Sequence, residues 1–149
     1  MKVIHLISGG DSGGAKTHVL SLLQNLNKTI TAQGAPAAVG PYCHAKLAGS
    51  TLYVSGQLGL NPADGSLAQG VEAQARQALD NLGTILRTAG MDYCDVTKTT
   101  VFLTDMGDFA AINAIYAEYF TGEAPARSCV AVAALPKGGA FEVECVAVK

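Results

Sequence analysis

Residues 70–90 read GVEAQARQALDNLGTILRTAG, and this stretch decides the fold class. Its apolar side chains recur every three or four residues, which is the spacing of one face of an α-helix. Gly90 is placed to end the helix. We predict an amphipathic helix that covers an apolar layer, with a stripe formed by Val71, Ala75, Ala78, Leu79, Leu82, Ile85, Leu86 and Ala89.

Segments with strand character lie on both sides of this helix. Upstream, residues 47–56 (LAGSTLYVSG) predict a strand with Leu52 and Val54 on one face. Residues 34–42 (GAPAAVGPY) predict a connector with little regular structure. Downstream, the β-branched residues 95–105 (DVTKTTVFLTD) predict another strand.

The last 44 residues predict one more helix and two more strands. Residues 106–120 have helical spacing, with Phe109, Ile112, Tyr116 and Phe120 as the apolar face. Residues 127–135 (RSCVAVAAL) are small and apolar, so we expect a strand that is buried on both faces. Residues 141–148 (FEVECVAV) alternate, as a strand with two different faces does.

This order of elements predicts an α+β fold in which two helices pack on one face of a mixed β-sheet. The other face of the sheet then has no helix of its own chain to cover it. We expect a homo-oligomer with its sheets facing inward to bury that face.

Composition limits the possible functions. The chain has 149 residues, 49% hydrophobic and 15% charged, which suits one folded domain and excludes a disordered chain. Ten Lys and Arg against twelve Asp and Glu give a net charge of −2. Nucleic-acid binding is therefore disfavoured, because there is no basic excess to neutralise phosphates.

The apolar and cysteine patterns predict a cytoplasmic protein. No run approaches the roughly 18 apolar residues of a membrane span. The apolar run near the N-terminus, about six residues, is shorter than the roughly 7–15 of a secretory signal. The four cysteines have no zinc-ligand or CxxC spacing, so we expect free thiols and no metal site: Cys43, Cys94, Cys129 and Cys145.

Residues 1–27 predict an additional strand, glycine-rich loop and helix. Such a βα unit opens many doubly wound nucleotide-binding sheets. The loop GGDSGGAKTH lacks both the GK[ST] ending of a P-loop and the GxGxxG spacing. The loop therefore matches neither of the two specific phosphate-binding motifs.

Arg127 and Glu142 are the charged residues of most interest. Arg127 opens an apolar strand, either as an exposed strand-end arginine or as a planar, two-pronged anchor for a carboxylate. Glu142 and Glu144 share one strand face, either as a solvated face or with a carboxylate that orients a water molecule. Val146 on the same face argues against simple solvation.

Several uncharged residues are weaker candidates. Cys129 lies on the same strand face as Arg127, and we favour a small core thiol over a nucleophile because no histidine of that region could activate it. Tyr42, Ser55 and Gly56 could supply hydroxyl and backbone donors. These pieces are distant in sequence, so a site would need them to meet in space or between subunits.

Over residues 28–149 the chain resembles the RidA/YjgF family of enamine/imine deaminases. No single stretch is specific, but the combination is. The matching stretches are NKTITAQGAPAAVGPY, LYVSGQLGLNPADGSL, VEAQARQALDNLGTILRTAG, KTTVFLTDMGDFAAINAIY, PARSCVAVAALPK and FEVECVAV.

The resemblance implies a chorismate-mutase-like fold and a homotrimer with its sites in the clefts between subunits. It implies hydrolysis of 2-iminopropanoate and 2-iminobutanoate, or of enamine tautomers such as 2-aminoacrylate, to 2-oxo acids and ammonia. It implies neither a metal nor an organic cofactor.

By position, the resemblance also assigns roles. Arg127 binds the substrate carboxylate, and Glu142 positions the attacking water. Tyr42 lines the site from a neighbouring subunit. The ligand is held with the help of Ser55, Gly56 and the backbone at Cys129, while Asn113 matches a helix asparagine whose role we expect to be structural.

Two departures from the family are visible. Cys43 and His44 stand where many relatives have Ser and Gln, and we expect His44 to lie at the periphery of the site. Residues 1–27 instead resemble the opening βα unit of a GT-B glycosyltransferase. The resemblances therefore divide the chain into an N-terminal extension, 1–27, and a RidA-like domain, 28–149.

Two other functions remain as alternatives. A non-catalytic trimer that binds small carboxylates, with a regulatory or chaperone-like role, would use the same arginine. Ribonuclease activity has been attached to similar proteins, but the acidic charge balance disfavours it.

Overall fold

The computed structural model describes residues 27–149, which form a six-stranded sheet and two α-helices. The strand, loop and helix predicted within residues 1–27 lie outside the described residues, except that Asn27 begins the first strand. The elements in chain order are β1 (Asn27–Ile30), β2 (Ala45–Ala48), β3 (Thr51–Leu58), α1 (Val71–Thr88), β4 (Val96–Leu103), α2 (Phe109–Tyr119), β5 (Ala126–Ala131) and β6 (Phe141–Val148).

The sheet is mixed, with the strand order β1-β2-β3-β6-β4-β5. Only β4 and β5 run parallel, and every other neighbouring pair is antiparallel. Both helices cover the same face, since α1 contacts β3 and β6 and α2 packs beside α1. The predicted α+β architecture is confirmed, and its core includes Leu79, Leu82, Ile85 and Leu86 of α1 with Phe141, Val143, Cys145 and Ala147 of β6.

Two buried amide side chains of α1 fix the strand ends that lead to the site. The Nδ2 group of Asn81 donates hydrogen bonds to the carbonyl oxygens of Leu58, at 3.1 Å, and Leu60, at 2.9 Å. The Oε1 atom of Gln74 accepts a hydrogen bond of 2.7 Å from the amide of Ala140. These bonds hold the end of β3 and the start of β6 against the helix.

The strand predicted at residues 47–56 is a hairpin instead. Strands β2 and β3 pair in register around the two residues Gly49 and Ser50. Gly49 has a φ of 61°, which a two-residue hairpin turn requires and which glycine adopts without steric cost. The strand β1 was not predicted, because Ile30 is its only buried residue and the pattern is too short to detect.

The prediction that residues 127–135 form a strand buried on both faces is wrong for the single chain. The strand β5 is shorter, lies at the sheet edge and pairs only with β4. Val130 is 44% exposed. The small apolar residues of β5 therefore belong to an edge strand that the other described residues leave partly exposed.

The sheet face opposite the helices carries exposed apolar side chains, including Tyr53 (53% exposed) and Val148 (41%). Its polar residues include Lys98, whose Nζ donates a hydrogen bond of 2.7 Å to the Ser128 hydroxyl. We refer to this surface as the open face. Among residues 27–149, no helix is both long and apolar enough to cross a membrane.

Candidate active site

Arg127 points to the helix side of the sheet. It pairs in register with Thr99 of β4, which is fully buried and shares a 2.7 Å hydrogen bond with the Tyr116 hydroxyl of α2. The Arg127 guanidinium lies 4.6 Å from the centroid of the Tyr116 ring and 5.7 Å from that of Phe109. Both distances are typical of cation–π contacts, so the two rings hold the planar group in place.

Asn113 also holds the Arg127 side chain in place. The Nη2 group of Arg127 donates a hydrogen bond of 2.7 Å to the Oδ1 atom of Asn113. No carboxylate of the described residues forms an ion pair with Arg127. The remaining guanidinium donors are therefore free to meet an external carboxylate.

Cys129 lies on the same side of β5 as Arg127, in register with Val101. Burial raises the pKa of its thiol, and the nearby Arg127 charge opposes this effect only in part. A thiol with a raised pKa is a poor nucleophile at neutral pH. This supports the interpretation of Cys129 as a small packing residue.

Glu142 projects from the opposite side of the sheet, because its neighbours Phe141 and Val143 face the buried core. Its carboxylate lies against Gly56 of β3: a Cβ atom built on Gly56 would overlap the Oε1 atom of Glu142. Any larger residue at position 56 would force this carboxylate to move.

A β-bulge creates this close approach. Val54 pairs with Cys145 and Gln57 pairs with Val143, so Ser55 and Gly56 together stand opposite Glu144. The Gln57 side chain donates hydrogen bonds to the carbonyl oxygens of Ser55, at 3.0 Å, and Gly56, at 3.2 Å. Bulges of this kind often re-aim groups beside active sites.

The environment of Glu142 makes its carboxyl harder to ionise than that of a glutamate in water. Burial raises the pKa of the Glu142 carboxyl, and the negative charge of Glu144 raises it further. A carboxyl with a pKa above its ordinary value is better suited to exchange protons near neutral pH.

Tyr42, Ser55 and His44 surround the same bulge. The Ser55 hydroxyl donates a hydrogen bond of 2.7 Å to the Cys43 carbonyl, and the Ser55 amide donates one of 3.0 Å to the His44 carbonyl. The Tyr42 side chain is 48% exposed, and its hydroxyl accepts a hydrogen bond of 3.1 Å from the Val39 amide. A shallow pocket is lined by residues that include Tyr42, His44, Gly56 and Leu58.

The structure therefore divides the predicted site residues into two groups. We call Tyr42, Ser55, Gly56 and Glu142 the bulge group, and Asn113, Arg127 and Cys129 the arginine group. Arg127 and Glu142 lie on opposite faces, and β4 separates their strands. From ordinary strand spacing and rise, their Cα atoms are roughly 14 Å apart. One small molecule cannot touch both side chains within one protomer.

The sequence gives no sign that His44 is buried or that Gln57 takes part in the bulge. His44, which we expect at the periphery of the site, is 7% exposed, and both of its ring nitrogens are hydrogen-bonded. The role of Gln57 depends on the bulge, which no local sequence pattern predicts. No group of three or more His, Cys, Asp or Glu within residues 27–149 is arranged to hold a metal ion.

Comparison with known proteins identifies the class. The family described as endoribonuclease L-PSP matches residues 32–149, and the chain belongs to this family. The 2-iminobutanoate/2-iminopropanoate deaminase of Capra hircus is 50% identical over 125 residues, which are 83% of this chain and 91% of that protein.

A bacterial relative and a solved structure agree with this assignment. The 2-iminobutanoate/2-iminopropanoate deaminase of Escherichia coli strain K12 is 46% identical over 127 residues, covering 83% of this chain and 99% of the relative. The crystal structure of E. coli TdcF with bound serine has a TM-score of 0.80 and 42% identity, and covers 82% of this chain and 98% of TdcF.

Proposed function

We propose that the protein hydrolyses 2-iminobutanoate and 2-iminopropanoate, or their enamine tautomers, to 2-oxo acids and ammonia. Relatives that carry this activity in their names share about half of their residues with the chain. The observation that carries the proposal is chemical: Arg127 has no carboxylate partner among the described residues, and the pKa of Glu142 is raised.

Arg127 anchors the substrate in this proposal. A guanidinium offers two parallel N–H groups that match the two oxygens of a carboxylate. Its hydrogen bond to Asn113 and its contact with the Tyr116 ring restrict its orientation before the substrate binds. Anchoring the carboxylate places the adjacent imine carbon in a defined position. Hydrolysis then takes place between a bound substrate and a water molecule that are already correctly oriented.

Glu142 acts on the water molecule. Its carboxylate accepts a proton as the water oxygen bonds to the imine carbon, and the C=N double bond becomes a single bond to an amine. The carboxyl returns this proton to the nitrogen, which completes the amine of a carbinolamine. The carboxylate then takes the hydroxyl proton and passes it to the nitrogen as the C–N bond breaks, so that the carbonyl forms and ammonia leaves. The balance is one imine and one water consumed, one 2-oxo acid and one ammonia formed.

Two copies of the chain are required to build this site. We propose that one subunit supplies the arginine group and its neighbour supplies the bulge group. Because the two groups lie on different surfaces of one protomer, the contact joins unlike patches, and such contacts form a ring when the rotation between subunits closes. A homotrimer of this kind would also cover the exposed Tyr53 and Val148 of the open face.

Release of ammonia and 2-oxo acid from a freshly generated imine tests the proposal. An amino-acid oxidase generates the imine in place, and semicarbazide traps the portion that is not hydrolysed. The intact chain should accelerate hydrolysis, Arg127→Ala should abolish the acceleration, and Arg87→Ala, an exposed helix arginine, should retain it. An intact chain without acceleration refutes the proposed reaction.

Glu142→Gln distinguishes a catalyst from a module that only binds carboxylates. The amide retains the shape of the side chain but cannot accept the water proton. Hydrolysis should fall by two or more orders of magnitude, within the usual range for general acid–base catalysis, while binding of 2-oxobutanoate persists. Unchanged hydrolysis would favour another base.

We also propose a cytoplasmic location and a deaminase unit that spans residues 28–149. All four cysteines are free thiols, and Cys94 is exposed. Exposed free thiols suit a reducing compartment. Fractionation of cells that express the intact chain tests the location.

A further inference from the structure

We infer that His44 is a positioning residue that holds the segment 32–42, and with it Tyr42, against the bulge of β3. The segment 32–42 contains no helix or strand and forms one wall of the shallow pocket. The kinetic consequence of this inference depends on the proposed deaminase reaction, whereas its structural consequence does not.

The ring of His44 ties two points of the segment to the sheet. Its Nδ1 atom accepts a hydrogen bond of 2.9 Å from the Ala32 amide. Its Nε2 atom lies 2.9 Å from the carbonyl oxygen of Pro36, which can only accept. A neutral imidazole with its proton on Nε2 satisfies both contacts at once.

The backbone of His44 is bonded to the bulge of β3, which belongs to the candidate site. Its carbonyl oxygen accepts the hydrogen bond from the Ser55 amide, and Ser55 shares the bulge with Gly56, which contacts Glu142. His44 thus connects the segment that carries Tyr42 to the strand that places the Glu142 carboxylate, beside the bond that the Ser55 hydroxyl donates to the Cys43 carbonyl.

Few other hydrogen bonds could replace this connection. Among the described residues, the remaining hydrogen bonds of the segment are internal: Ala35 to Ala32, Tyr42 to Gly40, and Val39 to the Tyr42 hydroxyl. Such bonds maintain local shape but do not fix the segment on the sheet. The ring of His44 is therefore the hydrogen-bonded tie between the segment and the sheet, and it acts together with the burial of Ala32 and Ala35 in the core.

Two substitutions test this inference. His44→Leu has a similar volume and removes both ring contacts, whereas His44→Gln keeps one acceptor and one donor near their positions. Ile85→Val, a buried change in α1 outside this network, controls for lost stability. The intact variants are compared by amide hydrogen exchange over residues 32–42 and by imine hydrolysis kinetics.

We expect His44→Leu to lose protection in the segment 32–42, with KM raised about tenfold and kcat nearly unchanged, because Tyr42 contributes to binding and not to proton transfer. His44→Gln should recover most of both, and Ile85→Val should change neither. Retained protection in His44→Leu, or a KM equal to that of Ile85→Val, overturns the inference. If the unmodified chain hydrolyses no imine, the proposed reaction fails, and hydrogen exchange alone still decides the role of His44.

Discussion

The Gly56 backbone lies directly beneath the carboxylate of Glu142, so that a methyl group at position 56 would occupy the place of the Oε1 atom. The relationship joins two residues that are 86 positions apart in sequence. It explains why the bulge of β3 carries glycine, and it makes the placement of the acid dependent on a single missing side chain.

Gly56→Ala should therefore displace Glu142 without unfolding the protein. We expect kcat/KM to fall by about a hundredfold, since small misplacements of reacting groups have effects of this size. Gly122→Ala is the matched control, because an added Cβ there meets no atom within 4 Å. Equal activity in the two variants would show that the position of Glu142 is unimportant.

Glu142→Gln should make the protein more stable at neutral pH, although it slows hydrolysis by two or more orders of magnitude. Because burial and Glu144 raise the pKa of Glu142 in the folded state, ionisation of this carboxyl opposes folding. The penalty is absent below the unfolded-state pKa and reaches its full size as the pH rises through the folded-state pKa. The gain in stability should thus appear at pH 7 and vanish in acid.

Urea unfolding of both proteins at equal concentration, at pH 7 and at about pH 4, measures this difference. Glu123→Gln serves as an exposed-loop control. A gain that is as large in acid as at pH 7 would contradict the assignment of the penalty to ionised Glu142.

Glu144→Gln should move the acid limb of the pH–rate profile to lower pH. The negative charge of Glu144 raises the pKa of Glu142, so its removal lowers that pKa. The dependence of kcat/KM on pH reports the ionisation of the free enzyme and is the appropriate measurement. An acid limb that stays in place would mean that a different group controls the rate.

Two inactive variants should restore activity when they share one oligomer. Arg127→Ala supplies an intact Glu142, and Glu142→Gln supplies an intact Arg127. If each site takes these residues from different subunits, random mixing leaves about a quarter of the sites complete. The measurement is imine hydrolysis after the two variants are unfolded together and refolded.

Each variant refolded alone is the control for this complementation. A mixture with no activity would show that both residues must come from one chain. That outcome would contradict the proposal that neighbouring subunits share each site.

Much of the architecture could be predicted because it depends on local patterns. The helical stripe of residues 70–90 and the alternation of residues 141–148 identified α1 and β6, and both agree with the buried core. The hairpin of β2 and β3 was missed although Gly49-Ser50 is a known turn signal. Because its two strands are short and close together, the pattern of residues 47–56 predicts a single strand.

The candidate residues were identified with less detail. Periodicity placed Glu142 and Glu144 on one face, and the structure confirms this. It could not show that His44 is buried, because its two ring partners are the backbone groups of Ala32 and Pro36. Backbone groups are the same in every residue, so such contacts leave no trace in the sequence.

The sequence by itself determined the elements, the apolar face of each one and the chemical types available for a site, because these follow from side-chain identity and from the fixed geometry of helix and strand. The tertiary structure alone decided that Arg127 faces the helices while Glu142 faces the open side, and that Gly56 makes room for the acid. The reason is physical: strand order, register and the bulge result from contacts between residues far apart in the chain, which no local pattern encodes.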